Sequence, residues 1–274
     1  MKLFILPFDH RSSFLKILEK PNKKTVEELK NIIFTGFLKV YETYKTKKDL
    51  AILVDEKYGS KIIKFAKENK IQLCLPIEKS GKEILELEYK DLKEIKKIDP
   101  DYIKVLIRYN PLNIEINEKQ DIVLKKINTF CEKNNYKLIL ELLVPPTEDD
   151  LKLTTNYDKY LRLNRTCQAI QEIQETIKVD IWKLEGFNEK GWKEINKIIK
   201  NKSQIIFLGR GESKEKVRKW LMESKKIKNI IGFAIGRTIF IDPIKEYAEK
   251  KIDENKASDE VAKRFKYYID LFNK

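Results

Sequence analysis

Eight times along this chain a short apolar run is followed by a segment whose apolar residues recur at helical spacing, and that alternation excludes most folds. The runs are Leu3 to Phe8, Leu50 to Val54, Ile71 to Ile77, Tyr102 to Ile107, Lys137 to Val144, Val179 to Gly186, Gln204 to Leu208 and Ile230 to Ile235. Near-continuous Ile, Leu and Val is how strands of a parallel sheet read, because both of their faces are covered. Between them, Thr25 and Glu28 have capping-box spacing, and Val26, Leu29, Ile33, Phe37 and Val40 share one helical face. Further helices are expected around Ile62 to Ala66, from Lys119 to Asn134, from about Tyr157 to Thr176, around Trp192 to Ile199, around Val217 to Leu221, and from Pro243 to Phe272. Eight strand-helix units of roughly 34 residues predict a single (β/α)8 TIM barrel over residues 1–274. A doubly wound open sheet would want fewer strands and a Gly-x-Gly-x-x-Gly turn after the first, which is absent. No linker, low-complexity tract or shift in composition divides the chain.

Composition narrows the chemistry. The net charge of +14 invites a nucleic-acid reading, but the lysines are dispersed, alternate with Glu and Asp, and fall on segments of helical period. A solvated helical face explains them, and no DNA- or RNA-binding motif is present. There is no apolar run of the roughly 18 residues a membrane helix needs, and Pro7 and Asp9 interrupt the amino terminus too early for a signal peptide, so a cytoplasmic protein is expected. Cys74, Cys131 and Cys167 are too few and too scattered for a disulfide framework or a C-x-x-C metal site. With His10 as the only histidine, a site of several imidazoles cannot be built from one chain. The chemistry is therefore expected to come from Lys, Asp, Glu, Arg and Tyr with no cofactor; a magnesium site made of carboxylates stays open, though nothing in the spacing calls for one.

In a barrel of this kind catalytic groups gather at the carboxyl ends of the strands. Asp9, Asp55, Glu78, Arg108, Glu141, Lys183, Glu185, Arg210 and Arg237 all fall there, and Lys104 and Glu141 interrupt otherwise apolar runs. Lys183 stands in the second half of Val179-Asp-Ile-Trp-Lys-Leu-Glu-Gly186. Burial disfavours the charged form of an amine, which suits one that must attack a carbonyl carbon. The competing readings are a strand-end lysine whose head snorkels to water, and a structural ion network of Lys104, Glu141 and Lys183 closing one barrel layer. Two glycine-arginine turns, Gly209-Arg210-Gly211 and Gly236-Arg237, follow the seventh and eighth runs, where this fold usually holds phosphate.

Six segments in order carry a resemblance: Leu6-Pro-Phe-Asp-His-Arg11, Ile107-Arg-Tyr-Asn-Pro111, Glu141-Leu-Leu-Val-Pro-Pro-Thr147, Asp180-Ile-Trp-Lys-Leu-Glu-Gly186, Leu208-Gly-Arg-Gly211 and Gly232-Phe-Ala-Ile-Gly-Arg-Thr238. Over almost its whole length the chain resembles the 2-deoxy-5-keto-D-gluconate 6-phosphate aldolase-like proteins of inositol catabolism. It is more distantly similar to class I tagatose-1,6-bisphosphate aldolases. The resemblance implies that Lys183 forms a Schiff base with a phosphorylated keto-sugar acid, with dihydroxyacetone phosphate and malonate semialdehyde as products. By the same likeness Glu141 is the expected general acid/base, its pKa raised by burial. Lys104 would orient Glu141 and keep Lys183 partly neutral, and Asp9 would position a hydroxyl or move a proton. Gly209, Arg210, Gly211, Gly236 and Arg237 would hold the phosphate, Arg108 the carboxylate, and Asp55, Glu78 and Glu185 would complete the substrate site. The segment Tyr160-Leu-Arg-Leu-Asn-Arg165 lacks the expected arginine-proline pair, leaving both Arg162 and Arg165 as candidates. A tagatose- or fructose-bisphosphate aldolase and a non-catalytic sugar-phosphate-binding barrel are the alternatives, and self-association is left open.

Overall fold

The computed structural model describes residues 1–11, 22–200 and 202–274. Eight strands close into one parallel barrel in chain order: β1 (Leu3–Pro7), β2 (Leu50–Leu53), β3 (Gln72–Pro76), β4 (Tyr102–Arg108), β5 (Lys137–Leu143), β6 (Ile181–Glu185), β7 (Gln204–Leu208) and β8 (Ile230–Ala234), with β8 returning to β1. The expected (β/α)8 barrel is therefore the fold. Outside it run α1 (Lys23–Thr43), α2 (Glu56–Glu68), α3 (Ile95–Ile98), α4 (Ile114–Asn134), α5 (Glu148–Leu153), α6 (Tyr157–Tyr160), α7 (Arg162–Thr176), α8 (Glu189–Ile198), α9 (Lys214–Ser224), α10 (Arg237–Ala248) and α11 (Glu254–Asn273).

The period of two along each strand separates two apolar layers. Leu3, Ile5, Ala51, Leu53, Cys74, Tyr102, Ile139, Ile181 and Ile206 pack together, while Phe4, Leu6, Ile52, Leu73, Ile103, Leu138, Leu140, Trp182 and Phe207 join the larger cluster with the helices. Lys104, Glu141 and Lys183 each lie two residues beyond Tyr102, Ile139 and Ile181. They therefore share the inner face, one layer nearer the carboxyl ends. In the β5–β6 register Glu141 is directly paired with Lys183.

Several helix boundaries differ from expectation. α1 starts two residues before Thr25, and Asn22 caps it by accepting from the Thr25 amide at 2.9 Å. α4 begins at Ile114 instead of Lys119. Its first turn carries no inward stripe, and Ile114 is 68% exposed, so periodicity could not reveal it. The segment expected as one helix from Tyr157 breaks at Leu161 into α6 and α7. Pro243 lies inside α10 instead of opening it; the Ile239 carbonyl that the missing amide would have met accepts from Arg264 Nη1 at 3.4 Å. After β3 the chain forms a hairpin before reaching α3: the Lys79 amide donates to the Glu86 carbonyl at 2.8 Å, and the Glu88 amide to that of Ile77 at 2.8 Å. Among the described residues no helix is long and apolar enough to cross a membrane.

Candidate active site

One ammonium group organises the mouth of the barrel. Lys104 Nζ, 2% exposed, lies 2.6 Å from Glu78 Oε1, 2.9 Å from Glu141 Oε2 and 3.3 Å from Asp9 Oδ2. Lys183 Nζ donates to the same Glu141 oxygen at 2.8 Å and is 5% exposed. Buried charges persist only when paired, and each member of this cluster has an opposite charge within hydrogen-bonding reach.

The protonation pattern follows. Burial pushes the Lys104 amine down, but Glu141, Glu78 and Asp9 outweigh it and hold its pKa well above the ordinary lysine value. Burial likewise pushes Glu141 up, yet Lys104 and Lys183 bring it down to about 2. This corrects the expectation that burial raises Glu141: its two cationic neighbours win. Asp9 is held well below the usual carboxylate range, since Lys104 and then His10 overcome its burial. Glu78 goes the other way, raised because burial and the nearby Asp9 charge exceed the pull of Lys104.

Two adjoining cavities open on this cluster. The larger, about 210 Å³, is walled by Asp9, Glu78, Lys104 and Arg108 and roofed by the hairpin from Lys79 to Glu86. The smaller, about 50 Å³, is lined by Gly209, Arg210, Gly211, Gly236, Arg237 and Thr238. His10, Glu141 and Lys183 are walls of both. In the smaller cavity Arg210 and Gly211 have φ of 54° and 77°, which turns the loop after β7 back over the barrel mouth. A Cβ on Gly211 would come within 2.7 Å of the Arg237 guanidinium, so glycine is what admits that side chain. Arg237 Nη2 in turn donates to the Arg210 carbonyl at 2.9 Å. Glycine backbone beside two guanidinium groups is the kind of lining that can cradle an anion.

The remaining candidates are tied to other parts of the protein. Arg108 lines the larger cavity, but its Nη1 donates to the Lys82 carbonyl at 2.8 Å and so fastens the hairpin. Glu185 lines neither cavity; it is buried, ion-paired with Arg210 Nε at 2.7 Å and 3.6 Å from Arg162 Nη1. Asp55 is also off both walls. Fully buried, it pairs with Lys30 of α1 and accepts the Tyr58 amide at 3.1 Å as the cap of α2. Its position at the end of β2 thus serves helix packing, in contrast to the expected substrate contact. Arg162 donates to the Gly186 carbonyl at 2.9 Å and Arg165 binds Asp150 at 2.9 Å, so neither reaches the cavities. Sequence reasoning passed over the hairpin roof, although the turn-forming Ser80-Gly81 followed by alternating Leu85, Leu87 and Tyr89 was a hairpin signal. It also passed over Lys30, His10 as a cavity wall, and Thr238. No group of three or more His, Cys, Asp or Glu that could hold a metal ion occurs among the described residues.

The family model described as "Uncharacterized protein conserved in bacteria (DUF2090)" matches residues 1–274. The chain belongs to this family. No curated protein sequence matches it. Among solved structures, an archaeal fructose 1,6-bisphosphate aldolase is 14% identical, with 96% of this chain and 93% of that one covered and a TM-score of 0.61. A Schiff-base-forming fructose-1,6-bisphosphate aldolase, studied through its reaction intermediates, is 15% identical over 96% and 93%, with a TM-score of 0.61. The fructose-bisphosphate aldolase of Plasmodium falciparum is 12% identical over 98% and 89%, with a TM-score of 0.63. At these identities the likeness of this DUF2090 chain to the aldolases is one of fold.

Proposed function

We propose that this DUF2090 protein is a Schiff-base (class I) aldolase that cleaves a phosphorylated keto-sugar acid, with 2-deoxy-5-keto-D-gluconate 6-phosphate as the substrate of choice. The observation that carries this reading is Lys183, buried and bonded to Glu141 where an anion cradle meets a second, partly cationic cavity. A phosphate seated among Gly209, Arg210, Gly211, Gly236 and Arg237 brings the adjacent ketone to Lys183. The far carboxylate then enters the larger cavity, which is lined by Arg11, Lys79, Lys82 and Arg108; Arg11 also pairs with Glu88, Lys79 and Lys82 with Glu86, and Arg108 with the Lys82 carbonyl. Phosphate binding alone would need none of Lys104, Glu141 and Lys183, which weighs against a purely binding role. The fold shared with Schiff-base aldolases is consistent with the same chemistry.

In the cleavage direction the Lys183 iminium draws electrons from the bond between the α and β carbons. That bond breaks to an enamine as the β-hydroxyl loses its proton and becomes the aldehyde. Glu141, ionised and fixed by two lysines, is suited to accept that proton, and Lys104 holds it in place. Asp9, anchored on Lys104, is placed to fix a neighbouring hydroxyl. Lys104 and Glu78 act through position, as parts of the ion network.

The test is condensation of dihydroxyacetone phosphate with malonate semialdehyde. The wild type forms product with EDTA present, and Lys183→Ala forms none while still binding dihydroxyacetone phosphate. Activity abolished by EDTA and restored by a divalent ion would contradict the class I mechanism, and activity only with bisphosphates would move the substrate to the tagatose or fructose class.

A further inference from the structure

His10 is a wall of both cavities and has no role in the scheme above. It follows Asp9 at the end of β1, its side chain 26% exposed, with the Phe240 ring edge-on at 5.8 Å between centroids. Gly236 packs against the same corner: a Cβ there would lie 2.5 Å from the Pro7 carbonyl oxygen and 3.3 Å from His10 Cε1. Neither ring nitrogen hydrogen-bonds a described residue, and Nδ1 is fully buried and 3.9 Å from Asp9 Oδ1. The charged groups around the ring are Asp9, Arg237, Lys183 and Glu141; burial and the two cations bring its pKa to about 4 against the pull of the carboxylates. At neutral pH it therefore offers one free lone pair and one N–H.

Among the described residues only His10, Glu141 and Lys183 touch both cavities, so they surround the point where a bound chain passes from cradle to large cavity, which is the carbon attacked by Lys183. Schiff-base formation has a fixed proton count. Counted from a lysine ammonium, which must shed one proton before its nitrogen can attack, three protons start on nitrogen, the iminium nitrogen keeps one, and the other two leave with the ketone oxygen as water. The N–C bond forms, the C–O bond breaks, and no proton is gained or lost overall. Some group must carry those two protons from nitrogen to oxygen. Asp9 and Glu141 are engaged by lysines, whereas the imidazole is unengaged.

We infer that His10 is a catalytic residue that carries the protons released by Lys183 to the departing ketone oxygen. This rests on the aldolase reading and adds to it the acid-base group for imine formation, a task the ionised Glu141 is poorly suited to perform.

The experiment is rapid mixing with dihydroxyacetone phosphate, quenching into borohydride at timed intervals, and intact-mass measurement of the adduct, alongside titration with inorganic phosphate. His10→Gln should reach the same final adduct level as wild type but about 10²-fold more slowly, the lower end of what positioned acid-base catalysis contributes. Its affinity for phosphate should be unchanged, and added imidazole should accelerate adduct formation in His10→Ala. Adduct formation in His10→Gln at the wild-type rate would overturn the assignment. So would a slowing matched by an equal loss of phosphate affinity, which would make the ring a wall of the cradle and no more. Absence of any adduct in the wild type would remove the aldolase reading itself, a result distinct from either of these.

Discussion

A single carboxylate oxygen, Glu141 Oε2, meets two ammonium groups at 2.8 and 2.9 Å, and that sharing sets the electrostatics of the site. Because the folded-state pKa of Glu141 is brought down from 4.5 to about 2, its ionised form contributes stability that is full above pH 4.5 and lost as pH falls through about 2. Glutamine at this position mimics the protonated acid. Thermal melts of wild type and Glu141→Gln should therefore show their largest gap in Tm above pH 5 and a closing gap as pH approaches 2; a gap independent of pH would mean the carboxylate is not held ionised by its lysines. The charges that define this cluster were legible in the sequence because lysine and glutamate stand out inside apolar strand runs. The destinations of Asp55 and Glu185 were not. Each sits at a strand end like the cavity residues, and what diverts it is a cation from elsewhere in the chain, Lys30 for one and Arg210 with Arg162 for the other, which no local pattern announces.

At the scale of elements, the loops do what the strands cannot. The turn after β7 holds Arg210 and Gly211 at positive φ, and the missing Cβ of Gly211 leaves space for Arg237 from the start of α10. Gly211→Ala should strain that backbone by about 1 kcal/mol and displace the guanidinium, lowering affinity for inorganic phosphate severalfold with little change in the far-ultraviolet spectrum. Calorimetric titration checks this, and unchanged affinity would remove Arg237 from the cradle. Strands were legible from their apolar runs, and all eight begin and end within about two residues of expectation, a spread that assignment conventions alone produce. Helix starts were harder. Ile114 opens α4 while facing solvent, and Pro243 sits in mid-helix because Arg264 takes over the vacated carbonyl. The hairpin after β3 was missed because its exposed residues Lys79 to Ile84 have no apolar period, and only its closing side alternates.

For the whole molecule, barrel closure brings together Asp9, Glu78, Lys104, Glu141 and Lys183 from β1 and β3 to β6, groups that lie up to 174 positions apart. Closure was legible from the eight-fold alternation, and the inner position of the three strand charges from their period of two. The division of the mouth into an anion cradle and a roofed, larger cavity was not, since it depends on how the loops fold back over the barrel. The net charge of +14, read from the sequence as a solvated surface, also favours approach of an anionic substrate. The central claim is that Lys183 attacks a ketone at the junction of the two cavities. Borohydride trapping with dihydroxyacetone phosphate, followed by peptide mass mapping, tests it most directly. A class I aldolase built on this site gives one stable secondary-amine adduct, on the peptide containing Lys183; a bound ligand with no lysine modified, or an adduct confined to surface lysines, would contradict it.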